Sequence, residues 1–205
     1  MEGDQTYALG HPSPENIGPE TIHKSTAGPG ARGVATWLPR LRPEDDRSAF
    51  RSGNIELDRF FQRYAGQNQF RHHIGTTYVA VDGGAILGFA TVAPSEVAVP
   101  DLPATRRKRL PHYPLPVLRL ARLAADERAR GQGVGSALLR AIFALAHQLA
   151  ADFGCIGVVV DAKPAAIDFD ERLGFVRLEV DAGHLGERPE PTPMFVALDA
   201  IPRSA

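Results

Sequence analysis

Arg130-Gly131-Gln132-Gly133-Val134-Gly135 is the segment whose residue types and spacing point most directly to chemistry. Glycines at alternate positions let a backbone approach a bound group closely and turn its N–H groups toward it. An apolar and basic run, 118–125, precedes them, and a long apolar stretch, 134–150, follows. That order reads as strand, tight turn, helix. The N-terminus of such a helix adds unsatisfied N–H donors and a potential that favours anions. The chemistry indicated is a phosphate or pyrophosphate site with Arg130 at its entrance, set against a purely structural strand–helix turn. Two other phosphate loops are excluded by mechanism. A P-loop needs Lys-Ser/Thr after its last glycine, and Val134-Gly135-Ser136 offers no lysine. A dinucleotide fingerprint spaces G-x-G-x-x-G early in a βαβ unit, whereas these glycines recur every second residue well into the chain.

The elements that must hold this loop follow from patterning. Residues 1–33, rich in Gly, Pro, Ser and Thr, read as a flexible tail, and 34–200 as a single domain opening on a short strand at 34–38. Leu57, Phe60, Phe61 and Tyr64 have helical spacing within 55–69. Strands at 76–81 and 85–93 flank Asp82-Gly83-Gly84, a hairpin signal. After a proline-broken segment, 94–116, the strand over 117–124 places Arg119 and Arg122 on opposite faces. The helix over 134–150 stacks Leu138, Ile142, Leu145 and Leu149 in one stripe. A strand at 156–160 follows, then a helix over 165–173 bounded by Pro164 and Gly174, and strands at 175–180 and 194–198. Helices around a central, partly parallel sheet predict a three-layer α/β domain.

Composition narrows the class. A chain of 205 residues that is 43% hydrophobic with net charge -1 suits a soluble globular protein. Charge is unevenly placed: 101–130 holds eight Lys/Arg against three Asp/Glu, including Arg106-Arg107-Lys108-Arg109. Such a run is either a solvated face or a polyanion contact. The single cysteine, Cys155, reads as a buried structural thiol, and His147 as a surface or cap residue. No metal site is expected. With no signal segment and no run of membrane-spanning length, the expectation is a cytoplasmic protein without membrane contact.

Together these features resemble the Gcn5-related N-acetyltransferase superfamily. The resemblance is carried by Leu123-Ala124-Ala125-Asp126, by Arg130 to Gly135 as Gln/Arg-x-x-Gly-x-Gly/Ala, and by Ala165 to Phe175, and extends over roughly 38–198. Within it the chain resembles the toxin branch that pairs with ribbon-helix-helix antitoxins and acetylates aminoacyl-tRNA. Ser52-Gly53, where Cys-Gly is commoner, before Leu57-Asp58-Arg59-Phe60-Phe61, with Leu87 to Val92, Leu110 to Pro116 and Arg122-Leu123-Ala124, carry that narrower likeness. The resemblance implies a mixed, mostly antiparallel sheet flanked by helices. It also implies acetyl-CoA as cofactor, bound by Leu123, Ala124, Ala125, Arg130, Gly131, Gln132, Gly133, Val134, Gly135, Ser136 and Phe169. It brings aminoacyl-tRNA and an antitoxin as partners. RNA engagement often draws on two subunits, so a homodimer is expected.

One position departs from the family pattern. Phe169-Asp170 stands where members have Phe-Tyr, and that tyrosine generally protonates the departing thiolate. An aspartate with the ordinary pKa of about 3.9 is ionised at neutral pH and is a poor acid. Asp170 is therefore an impaired proton donor, a donor rescued by a burial-raised pKa, a base or amine anchor instead, or a bystander near a helix end. His112, Tyr113 and Glu96 are the other base candidates. An α-amine, with reference pKa near 7.7–8.0, needs less help from a base than a lysine near 10.4, which favours an α-amine acceptor. A small amine or a protein as acceptor, and a weakened enzyme acting through partners, are the alternatives.

Overall fold

Val81 and Ile86 close a tight hairpin around Gly83 and Gly84, both with positive φ, and join β1 (Thr76–Asp82) to β2 (Ala85–Val97). The computed structural model describes residues 38–108, 110–179 and 191–203. The tail expected over 1–33 and most of the strand expected at 34–38 lie outside them. β3 (Leu115–Ala125), β4 (Gly157–Ala162), β5 (Val176–Arg177) and β6 (Thr192–Ala197) complete a six-stranded sheet of order β1-β2-β3-β4-β6-β5. Among the described residues only β3 and β4 pair in parallel; the other pairings are antiparallel. The crossover between them is α3 (Val134–Asp152), as the apolar stripe requires.

Three layers result, as the sequence indicates. One face of the sheet, including Tyr78, Ala90, Leu118, Leu120 and Val158, packs against Val134, Leu138, Ile142 and Phe143 of α3. The other face is covered by α1, which starts at Ile55–Arg59 and continues in wider π-helical turns at Phe60–Tyr64 and Gln67–Arg71. Asn54 caps α1 by accepting from the Glu56 and Leu57 amides. Phe61 stacks on Phe89 with centroids 4.2 Å apart, and both are fully buried. Each such ring contributes roughly 1.5–3 kcal/mol by burial alone. α2 (Ala104–Arg107) lies in the segment read as proline-broken coil, where Val99, Leu102 and Leu110 cover Val117, Val159 and Phe195.

By length and composition α3 could cross a membrane, contrary to the sequence expectation, yet seven of its residues are buried within this fold. α4 (Ile167–Arg172) follows a single 3-10 turn at Pro164–Ala166 and ends at Gly174, with φ +89°. β5 is shorter than the expected 175–180. The Glu179 amide donates to the Asp101 carbonyl and its carboxylate pairs with Arg107, which draws the chain out of the ladder.

The largest correction concerns β3. Opposite Thr91 and Val92 stand Arg122 and Leu120, so Ala121 is an extra residue in the strand. One extra residue inverts the in-out alternation beyond it. Arg119 and Arg122, expected on opposite faces, therefore share one. Arg119 pairs with Asp161, and Arg122 lies over Phe60 in the cluster that contains Ala124 and Phe89.

Candidate active site

β3 and β4 pair only at Leu118–Leu120 with Val158–Val160, although β3 runs on to Ala125 and β4 to Ala162. Past Ala121 the parallel strands separate. Leu123, Ala124 and Ala125 stay paired to β2 on one edge and leave the edge toward β4 without a strand partner. Extended backbone with a free edge can accept an amide-containing chain as an added strand.

The glycine loop closes this opening. Gly131 and Gly133 both have φ +77°, a left-handed conformation that favours glycine. Between them the amides alternate: those of Arg130 and Gln132 donate to the Glu127 and Ala129 carbonyls. Among the described residues no hydrogen bond engages the Gly131 or Gly133 amides. Gln132 braces the loop, its Nε2 donating to the Arg128 carbonyl at 3.0 Å. Gly133 caps α3 without a side-chain hydrogen bond, and no acidic residue stands in the first turn. Val134, Gly135 and Ser136 thus present free helix-terminal donors to an anion. A Cβ at Gly135 would lie 3.8 Å from Leu123 and 4.0 Å from Phe169, so three predicted cofactor residues converge there. Arg130 is exposed, with Glu127 at 3.5 Å.

Two positions support the loop without having been assigned a role from sequence. Asp126 is buried and accepts from the Arg51 and Arg128 amides and from the Arg128 guanidinium. The hydrogen bonds from Arg128 lead in holding its carboxyl down to about 2. It fastens the start of the loop to the segment before α1. Gly88 lies beneath α3, where a Cβ would be 2.7 Å from Val134, 2.9 Å from the Ala124 carbonyl and 3.0 Å from Leu138. Gly88→Ala is expected to lift the first turn of α3 from the sheet and destabilise the fold by roughly 1–3 kcal/mol. Urea denaturation checks this; wild-type stability would show that the helix accommodates the methyl.

Asp170, on α4, is only 5% exposed, and its carboxyl accepts no hydrogen bond from the described residues. Burial raises its pKa to about 6. Glu96 lies opposite Pro116, five residues before the bulge and roughly 17 Å along the strand at about 3.4 Å per residue. His112 and Tyr113 are exposed in the loop entering that same distant end of β3. None of the three is brought to the opening.

The basic segment is largely committed. Arg106 holds Asp199 through two bonds of 2.6 and 2.7 Å, Arg107 holds Glu179, Arg119 holds Asp161 and Arg128 holds Asp126. Arg109 lies outside the described residues. Arg106 and Lys108 border a cavity of 810 Å³ with His147 and Cys155, at the C-terminal half of α3 and away from the glycine loop. Cys155 is buried as expected, its thiol donating to the Gly157 carbonyl, and half-buried His147 meets the Ile201 carbonyl.

A free strand edge beside a glycine-rich helix start is a shape suited to a long ligand with an anionic group. A model of the acetyltransferase (GNAT) family matches residues 38–175, and the chain belongs to that family. Its activity is acetyl-CoA-dependent N-acetyl transfer. A tRNA-acetylating toxin of Mycobacterium tuberculosis is 33% identical over 123 residues, which are 60% of this chain and 73% of the relative. The crystal structure of a tyrosine-to-phenylalanine mutant of KacT is similar, with TM-score 0.66 and 26% identity over 80% of this chain and 97% of that one. AtaT complexed with acetyl-methionyl-tRNAfMet shares the fold, with TM-score 0.70 and 24% identity over 80% and 95%.

Proposed function

We propose that this acetyltransferase is a toxin that acetylates the α-amino group of aminoacyl-tRNA. The observation that carries this reading is the 33% identity to a tRNA-acetylating toxin across most of that relative's length. The free amides of Gly131 and Gly133 and those opening α3, from Val134 to Ser136, would hold the pyrophosphate, with Arg130 beside them and Gln132 keeping the loop in shape. Leu123 to Ala125 would take the pantetheine arm as an added strand, and Phe169 would flank it next to Gly135. Bound acetyl-CoA supplies an acetyl group already activated as a thioester.

In this reading Asp170 replaces the family's tyrosine and carries the proton. With a pKa near 6 it is mostly ionised at neutral pH. As the N–C bond forms the nitrogen becomes acidic, and the carboxylate takes its proton. As the C–S bond breaks, the carboxylic acid returns that proton to a thiolate whose conjugate acid is near 8.5. The carboxyl ends the cycle as it began. The opposed face, with Arg119 and Arg122, receives the acceptor. A cytoplasmic site of action, a homodimer, and an antitoxin of the ribbon-helix-helix type complete the reading. The proline-rich loop Leu110 to Pro116 and nearby basic residues would attract the antitoxin's acidic amphipathic tail.

Charged tRNA is expected to gain an acetyl group on its amino acid, and uncharged tRNA to gain none, as read by mass analysis. Acetylation of lysine or a polyamine with no N-acetyl-aminoacyl-tRNA would overturn the assignment. That outcome would favour a second reading, a small-amine or protein acceptor, which draws support from the commitment of Arg106 and Arg107 to Asp199 and Glu179.

A further inference from the structure

Arg122 differs from its neighbours in what holds it. Its guanidinium carbon is 4.0 Å from the centroid of Phe60, and no carboxylate among the described residues pairs with it. Phe60 is itself 5% exposed, wedged beside Phe89, so the ring is a fixed support. A guanidinium stacked this way keeps its charge, loses rotamer freedom before any ligand arrives, and presents its N–H edge outward. Arg122 also follows Ala121, the residue at which β3 parts from β4. It stands at the inner end of the free edge, while the glycine loop stands at the outer end.

That placement matters for an acceptor. The attacking amine must come within roughly 3–3.5 Å of the acyl carbon. On a charged tRNA the phosphate nearest that amine belongs to the terminal nucleotide. Arg119, the other arginine that β3 places on this face, is neutralised by Asp161. We propose that Arg122, stacked on Phe60 at the β3 bulge, binds the phosphate of the acceptor's 3′-terminal nucleotide and so selects amines carried on a polynucleotide end. This rests on the aminoacyl-tRNA reading above and adds the residue that enforces it. Arg122 is a specificity and positioning residue; it transfers no proton.

The test compares kcat/KM for one charged tRNA with kcat/KM for the methyl ester of the same amino acid, which carries no phosphate. Arg122→Gln is expected to lower the tRNA-to-ester ratio about tenfold or more, the loss of one charge-assisted hydrogen bond, chiefly through KM. Arg122→Lys keeps the charge without the stacked fork and should recover part of the ratio. Phe60→Leu, which removes the support but not the arginine, should fall between Lys and wild type. Loss of one single-strand phosphate contact should also flatten the slope of log affinity against log salt by about 0.7. A ratio that moves less than twofold, or a parallel fall for both acceptors, overturns the assignment of Arg122. Wild-type protein that acetylates the ester but never the tRNA overturns the acceptor reading as well, which separates the two failures.

Discussion

Asp170→Asn is expected to make the protein more stable and the enzyme slower. The carboxyl is buried, accepts no hydrogen bond from the described residues, and has a pKa raised from the ordinary 3.8 to about 6 by burial. Between those two values the native state binds more protons than the unfolded state, so stability falls as pH rises from about 4 to about 6. Above that range the charged form imposes its full cost, up to roughly 3 kcal/mol at 1.36 kcal/mol per pKa unit. Asparagine removes the charge. The gain in stability should therefore be complete at pH 7 to 8 and absent below about pH 4. Turnover should move the other way, by ~10²-fold, the lower end of what a positioned acid–base group contributes, because a thiolate leaves readily. Wild-type turnover should rise through about pH 6, and Asp170→Asn should lose that limb. Chemical denaturation and steady-state acetyl transfer on the same two proteins read both quantities. Asp170→Tyr supplies the contrary outcome: faster turnover than wild type would make the aspartate an impaired donor instead of a relay. Equal turnover in all three proteins would leave Asp170 no part in the chemistry.

What could be read in advance was local. The Asp82-Gly83-Gly84 turn, the stripe of α3 and the strand–loop–helix order around Arg130 to Gly135 each depend on a few neighbouring residues. All appear where expected. The bulge at Ala121 does not, because Arg119-Leu120-Ala121-Arg122 alternates as well with a regular strand as with a bulged one. Only pairing with Thr91 and Val92 decides it. The basic run misleads for a related reason. Arg106 and Arg107 count as an excess in sequence, but Asp199 and Glu179, more than seventy residues away, neutralise them once the sheet is assembled. Asp170 stands out in the sequence as an expected departure from the tyrosine of the family pattern; its burial was not legible, because burial is set by the assembled fold and not by sequence neighbours.

Gly133→Val is the second change with a large expected effect, and its interest lies in where the cost falls. At φ +77° a β-branched residue costs roughly 1–2 kcal/mol in the backbone. Its chain neighbours aside, no atom of the described residues lies within 4 Å of a Cβ built there, so the side chain displaces none of them and projects into open space over the loop. If that space receives the pyrophosphate, strain and obstruction act together, and acetyl-CoA affinity should fall ~10²-fold, about 2.7 kcal/mol. Gly154→Val is the matched control. Gly154 has φ +90° just past α3, with Pro116 3.9 Å from its Cβ position, at the far end of the helix from the loop. It should lose a similar amount of stability and keep its affinity. Calorimetric titration of both variants with acetyl-CoA separates the two effects. A Gly133→Val protein that binds acetyl-CoA as wild type does would move the pyrophosphate off this loop. Equal affinity losses in the two variants would mean that strain spread through α3 lowers binding, with no direct obstruction at Gly133.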